Sequence, residues 1–187
     1  MEWAYGAVVI MVDIAALDEF LKSVERAAYL TARMSLPTSE DAMDAVQDSM
    51  LKLTQQYAHR PNSEWAPLFY RILRNTVIDA QRRQTTKKRL FPLAADHMGE
   101  DEDQRLDAPS PEPGLDRLID SEQMRHRLEA AIVALPDRQR EAFLLRTLDC
   151  LNVAQTAQAM GCTTGSVKTH YFRAIQALRK KLSEHEP

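Results

Sequence analysis

Apolar positions along this chain recur mostly at steps of three and four, the period of a helix lying on a core. From Asp13 to Met34 the stripe is Leu17, Leu21, Val24 and Ala28, with Asp13 placed as a cap and Leu36-Pro37 as the break. Thr38-Ser39-Glu40-Asp41 is written like a capping box. The helix it opens turns Val46, Met50, Leu53 and Tyr57 inward, while Asp44, Gln47, Asp48 and Leu51 share the other face. A polar turn from His59 to Ser63 leads to a third helix. It is predicted from about Trp65 to Arg83, with Pro67 in the first turn, where a missing N–H is tolerated. After residue 115 the pattern resumes: Leu128, Ala131, Ile132 and Leu135 make one stripe, Pro136 ends it, and Asp137 is the expected cap of the next helix.

The most specific local pattern is the last quarter, Leu135 to Leu182. Asn152 is placed to cap a short helix whose apolar side is Val153, Ala154, Ala157 and Met160. Gly161 falls where a left-handed residue ends that helix, and Thr163 caps the next. There Val167, Tyr171, Ala174, Leu178 and Leu182 form a stripe, and Lys168, Thr169, Phe172, Arg173 and Gln176 face away from it. Thr163 to Leu182 holds five Lys or Arg and no Asp or Glu. A short helix, a glycine turn and a longer basic helix is the order of a helix-turn-helix. The polar face suits a major groove, because cations meet phosphates and short polar side chains reach base edges. The plainer alternative is a solvated surface helix, which needs neither the caps nor the turn.

Composition enlarges this picture. With 187 residues, 44% of them hydrophobic, the chain can bury two small cores, and five glycines with few β-branched runs point to an all-α protein. The expected fold is two small helical bundles, residues 13–90 and 115–187, joined by a flexible acidic linker over 91–114. Between Ala94 and Asp120 nine Asp or Glu stand against two Arg, with Pro109, Pro111 and Pro113 among them. Such a segment serves either as a solvated tether or as a mimic of RNA charge. The net charge of −3 argues against a uniformly basic binder; the charge is patchy, as in Arg82, Arg83, Lys87, Lys88 and Arg89. Cys150 and Cys162 form no disulfide framework and fit a reducing cytoplasm as small core thiols; with His170 they match no zinc spacing. Residues 1–12 are apolar without a basic leader and too short to span a bilayer. They read as an N-terminal arm, or as a start assigned upstream of Met11. Phosphate loops, nucleophile triads and metal spacings are missing from the sequence, so neither enzyme activity nor a cofactor is expected.

Three blocks, in order, carry a resemblance. ALPDRQREAFLLR and the helix-turn-helix after it are similar to region four of bacterial sigma factors, at Leu135, Pro136, Arg140, Glu141, Gly165, Val167, Lys168, Arg173, Ala174, Leu178 and Arg179. DAMDAVQDSMLKL resembles the region-two helix, at Asp41, Ala42, Asp44, Val46, Gln47, Asp48 and Leu51. LFYRILRNTVIDAQRR is similar to the promoter-melting segment, at Tyr70, Arg71, Ile72, Asn75, Asp79, Arg82 and Arg83. It departs from that segment in having Leu68 at the usual Trp, with Trp65 three positions earlier and Phe69 in the following Leu position. The resemblance covers nearly all of the chain after Met11. With only a linker between regions two and four, the chain resembles the extracytoplasmic-function class.

That resemblance implies a factor that binds RNA polymerase core and directs it to promoters. It implies that Asp44, Gln47, Asp48 and Leu51 contact the core enzyme. Arg71, Arg74, Arg82 and Arg83 would hold the phosphates of an opened minus-ten strand. Trp65, Phe69 and Tyr70 would stack on unpaired bases, except where they belong to the core, and Asn75 would read a base edge. Thr164, Ser166, Lys168, Thr169, Phe172 and Arg173 would meet the minus-thirty-five duplex. An anti-sigma factor is a further expected partner, with no membrane insertion. One rival reading is an autonomous helix-turn-helix transcriptional regulator, since GSVKTH also resembles the recognition helix of response-regulator-type activators. Residues 13–90 lack the βα alternation of a receiver, however. Another is a helical enzyme or ligand-binding bundle, whose first domain would enclose a pocket.

Overall fold

The computed structural model describes residues 13–90 and 122–183, without the side chains of residues 87–90, 122 and 123. The N-terminal arm, the acidic linker and the side chains of Lys87, Lys88 and Arg89 therefore lie outside the described residues. Seven helices and no strand are present among those described: α1 (Ile14–Arg33), α2 (Ser39–Tyr57), α3 (Asn62–Leu90), α4 (Glu122–Val133), α5 (Asp137–Thr147), α6 (Val153–Met160) and α7 (Thr164–Ser183). The all-α expectation holds.

The ends of α1 and α2 follow local chemistry. Asp13 accepts the Ala16 N–H at 3.0 Å, and Thr38 accepts the Asp41 N–H at 3.1 Å, each satisfying a donor that the first turn leaves open. Four expectations are corrected. Helix α3 begins at Asn62, because the Glu64 N–H already bonds the Pro61 carbonyl (2.9 Å); Pro67 therefore sits beyond the first turn. At its other end α3 outruns Arg83 to Leu90. Just before and within this stretch Gln81 donates to the carbonyl of Ser35, in the turn after α1, and Gln84 to the Asp41 carboxylate of α2, both at 2.7 Å. Asp137 is the first residue of α5, not its cap, and its carboxylate is held by Arg140 at 2.6 Å. Ala154 is exposed, and Thr156 and Ala159 take the buried positions of α6 instead.

The first three helices pack together around Leu17, Ala28, Val46, Leu53, Phe69 and Leu73. Helices α4, α5 and α7 enclose a second cluster of Ala131, Ile132, Leu135, Phe143, Leu144, Ala174 and Leu178. The two sets are not isolated beads. The first cluster continues without a break from Leu73 and Val77 of α3 to Leu145, Leu151, Ala157 and Met160, and Met34 packs against the second. Helix α3 lies along α6.

Candidate nucleic-acid interface

The helix-turn-helix is α6, its turn and α7. Asn152 and Gln155 form a reciprocal capping box at the start of α6. Gly161 closes it at φ 61° and ψ 43°, a region that side chains with a Cβ enter only at a cost. Thr163 then accepts the Ser166 N–H at 3.2 Å, capping α7 as the sequence indicates. Two arginines that the sequence pattern does not single out fix the motif from α5. Arg138 donates to the Met160 carbonyl at 3.0 Å, at the C-terminal end of α6. Arg146 donates to the Leu151 carbonyl, just ahead of α6, and its guanidinium lies 5.9 Å from the centre of the Tyr171 ring. No sequence signal marks either one, since each acts on a backbone carbonyl that carries no side-chain identity.

With α6 and α7 fixed, α7 buries Val167, Ala174 and Leu178 and exposes Lys168, Thr169, Phe172, Arg173 and Gln176. Phe172 is 63% exposed, a large apolar ring in water between two cations. Thr164 is exposed at the helix start, and Ser166 is half-buried with its hydroxyl 2.9 Å from that of Thr163.

On α2, Asp44, Gln47, Asp48 and Leu51 are exposed together, joined by Met43. Leu51 is 56% exposed, and neither Asp44 nor Asp48 makes an ion pair among the described residues. An acidic face holding two bare apolar side chains suits a basic, partly apolar partner.

The α3 residues divide. Arg71, Asn75, Arg82 and Arg83 are exposed; Asn75 accepts a hydrogen bond from Arg74 at 3.3 Å, and Arg82 approaches Asp79 at 3.8 Å. Trp65, Phe69 and Tyr70 are buried, so in this arrangement none is a free stacking platform. The reason lies in α1. The Phe20 ring packs 5.8 Å from Trp65 and 6.2 Å from Phe69, and Phe69 meets Tyr70 edge-on at 5.1 Å. The Trp65 indole N–H is left without an acceptor.

Tyr70 and Arg74 are covered by the second half of the chain. Asp149, in the turn after α5, accepts a hydrogen bond from Thr31 of α1 at 3.1 Å and faces the Tyr70 hydroxyl. Its Oδ1 nevertheless has no hydrogen bond of good geometry, so the Tyr70 contact is electrostatic more than directional. Burial pushes the Asp149 carboxyl up to about 7, against smaller opposing effects of Tyr70 and Thr31. Burial and the Asp149 charge together hold the Tyr70 hydroxyl far above its usual value. Arg74 Nε stands 2.6 Å from Glu141 Oε1 of α5, close but poorly aligned for a hydrogen bond. Glu141 also meets Arg138 at 3.1 Å. Its carboxyl is raised by burial in spite of the two guanidinium groups, which lower it. Cys150, which follows Asp149, has φ 52° and is exposed, which corrects the expectation of a core thiol; Cys162 is half-buried. No cluster able to hold a metal ion occurs among the described residues.

This arrangement matches known proteins. Residues 20–87 match the family described as Sigma-70 region 2, and residues 125–178 the family described as Sigma-70, region 4. The ECF RNA polymerase sigma-E factor of Salmonella typhimurium is 30% identical over 148 residues, which are 77% of this chain and 75% of that protein. The chain belongs to the extracytoplasmic-function sigma factors. A sigma factor of Streptomyces coelicolor, RNA polymerase sigma-E factor, is 23% identical over 172 residues, 92% of this chain and 89% of the other. In fold, this sigma factor is similar to RpoE from Bartonella quintana, solved in complex with the anti-sigma factor NepR. The TM-score is 0.63 at 23% identity, over 90% of this chain and 98% of that one. It is similar also to CnrH, solved with the cytosolic domain of CnrY, with a TM-score of 0.60 at 19% identity over 95% and 94%. As a sigma factor the protein binds RNA polymerase core and promoter DNA and directs transcription initiation. Members of the family are in general non-enzymatic initiation factors. No helix among the described residues is long and apolar enough to cross a membrane.

Proposed function

We propose a division of labour within this sigma factor. Residues 13–90 hold the polymerase core and the opened minus-ten strand, residues 115–187 read the minus-thirty-five duplex, and 91–114 link them. Asp44, Gln47, Asp48 and Leu51 form the polymerase contact. Arg71, Asn75, Arg82 and Arg83 are the strand contacts already open to solvent, and Tyr70 and Arg74 join them when uncovered. Trp65 and Phe69 stiffen α3 from within rather than stacking on bases. Thr164, Ser166, Lys168, Thr169, Phe172 and Arg173 enter the major groove. The chain acts in the cytoplasm, has no catalytic activity of its own, and is held in check by an anti-sigma factor.

The observation that carries this reading is α7 itself. Its buried stripe fixes its rotation, so the same two cations, two polar side chains and one apolar ring always face outward. Alanine substitutions at Lys168, Thr169, Phe172 and Arg173, with promoter binding by holoenzyme measured across salt, test it. A lost base contact costs about 1–3 kcal/mol and relaxes preference at one position, whereas a lost phosphate contact weakens every sequence alike and flattens the salt dependence. Four variants that bind and select like wild type would place the reading face elsewhere on α7.

A further inference from the structure

Three arginines of α5 each end on a backbone carbonyl. Arg140 donates to the Val133 carbonyl at the end of α4, Arg138 to the Met160 carbonyl at the end of α6, and Arg146 to the Leu151 carbonyl just ahead of α6. Arg138 and Arg146 stand eight residues apart, about 12 Å along the helix axis, and α6 is itself eight residues long. Their two pairings run in opposite directions along the helices, so α5 holds α6 at both ends.

Arg138 is the more informative of the two. It lies among the positions that the region-four resemblance leaves open, between Pro136 and Arg140. Its Nη1 donates twice, to the Met160 carbonyl at 3.0 Å and to Glu141 Oε2 at 3.1 Å. The other Glu141 oxygen faces Arg74, so Oε2 is left to Arg138. The N–H groups of Gly161 and Cys162 return to the Ala157 and Gln158 carbonyls, further back in α6. The Met160 carbonyl, the last of the helix, is taken by Arg138. A cation suits this place, because the C-terminal end of a helix gathers partial negative charge.

Only Gly161, Cys162 and Thr163 lie between Met160 and α7. A tilt of about 10° at that point moves Arg173, about 14 Å along α7, by roughly 2.5 Å. Hydrogen bonds to base edges do not survive such a shift.

We propose that Arg138 is a positioning residue for promoter reading: it pins the last carbonyl of α6 to α5, with Glu141 holding its guanidinium, and so fixes the turn and the angle at which α7 meets the minus-thirty-five duplex. The proposal rests on the reading of α7 as the face that enters the groove. Arg138 itself touches no DNA. Its effect is on selection, not on electrostatic attraction.

The test measures selection by holoenzyme assembled with the full-length chain. The probes are a promoter duplex recovered by transcription from fragments of the source genome, and the same duplex with its minus-thirty-five element scrambled. The ratio of the two affinities cancels what the first half of the chain contributes. Arg138→Met should lower the ratio about fivefold or more, the scale of a lost base contact, and leave the salt dependence of binding unchanged. A ratio equal to that of wild type overturns the proposal. So does a salt dependence flattened by about one phosphate, which would make Arg138 a DNA contact. A double-mutant cycle separates positioning from a loss of stability alone. Phe172→Ala should lower the ratio several-fold in the wild-type background and less than about twofold beside Arg138→Met, because a tilted α7 has already lost that contact. Additive effects overturn the proposal. If Arg138→Met does not assemble into holoenzyme, Arg138→Lys is read in its place. Lysine keeps a donor but not the planar fork, so a smaller fall is expected, and no fall overturns the proposal. A wild-type chain that does not distinguish the two probes would remove the reading of α7 and the proposal with it. That outcome is distinct from wild-type selection that survives Arg138→Met, which removes the proposal alone.

Discussion

Helices α3 and α7 are both long, basic and amphipathic, yet they present their functional residues in opposite ways. Helix α7 keeps an apolar stripe inside and its cations and Phe172 outside. Helix α3 is covered on more than one side: by α1 and α2 over its aromatic residues, and by α5 and α6 over Tyr70 and Arg74. Only Arg71, Asn75, Arg82 and Arg83 of its proposed DNA residues remain open. A face set by a helix's own period is readable and always exposed. A face set by a packed neighbour depends on contacts that no helical period records.

Two phenylalanines give the sharpest contrast. Phe69 is completely buried and Phe172 largely exposed. Phe69→Ala should lower stability by about 3–5 kcal/mol through lost burial and the cavity left behind. Phe172→Ala should leave thermal unfolding almost unchanged while weakening promoter binding by holoenzyme. Calorimetry on both variants checks the pair. A stable Phe69→Ala protein would mean that the α3 aromatics are not core.

The same contrast explains what was legible in the sequence. Asp13, Thr38, Asn152, Gly161 and Thr163 each act on a backbone group within a few residues, so spacing alone places them. Asp137 fits a cap by its place after Pro136, yet an acid is also favoured inside the first helical turn, which is where it lies. The burial of Trp65 and Phe69 depends on Phe20, more than forty positions earlier. The partner of Asp149 is Thr31, 118 positions away. Such long-range pairings leave no periodicity behind, so the exposed faces of α2 and α7 were readable and the seam was not.

The cover over α3 should respond to pH. The groups facing Asp149 are Thr31 from α1 and Tyr70 from α3, and Cys150 acts in turn on Tyr70. Docked, Asp149 has its pKa pushed up to about 7; undocked, it returns to the ordinary carboxylate range. Docking therefore takes up a proton between these limits. The docked form is favoured in acid, loses stability as pH rises from about 4 to about 7, and changes little above that. One proton gives a slope of at most about 1.4 kcal/mol per pH unit. A pair of dyes, one on each half, should report separation on going from pH 5.5 to 8, and Asp149→Asn should flatten the response. An unchanged slope in that variant would assign the titration to another group.

On α7's side of the comparison, the first of two nearby glycines tests the turn. Gly161 holds the left-handed conformation that ends α6. An added Cβ there meets nothing within 4 Å, so any penalty in Gly161→Ala is conformational. The expected loss is about 1–2 kcal/mol, measured by denaturant unfolding. A neutral substitution would show that the turn relaxes, and that the angle between α6 and α7 is not fixed there.

Gly165 should behave in the reverse sense. It lies in the first turn of α7, its φ is not left-handed, and an added Cβ would find only the Thr163 hydroxyl, at 3.8 Å. Nothing in the fold requires glycine at this position, and glycine in a helix costs roughly 0.5–1 kcal/mol relative to alanine. Gly165→Ala should therefore stabilise the free protein by a few tenths to about 1 kcal/mol. The start of α7 is also the end of the helix that would enter the groove, where a bare backbone lets the chain approach DNA most closely. If α7 docks in that way, the same variant should bind the minus-thirty-five duplex more weakly in holoenzyme even though its own fold is tighter. A gain in stability with unchanged promoter affinity would move the contact from the first turn of α7 toward Phe172 and Arg173.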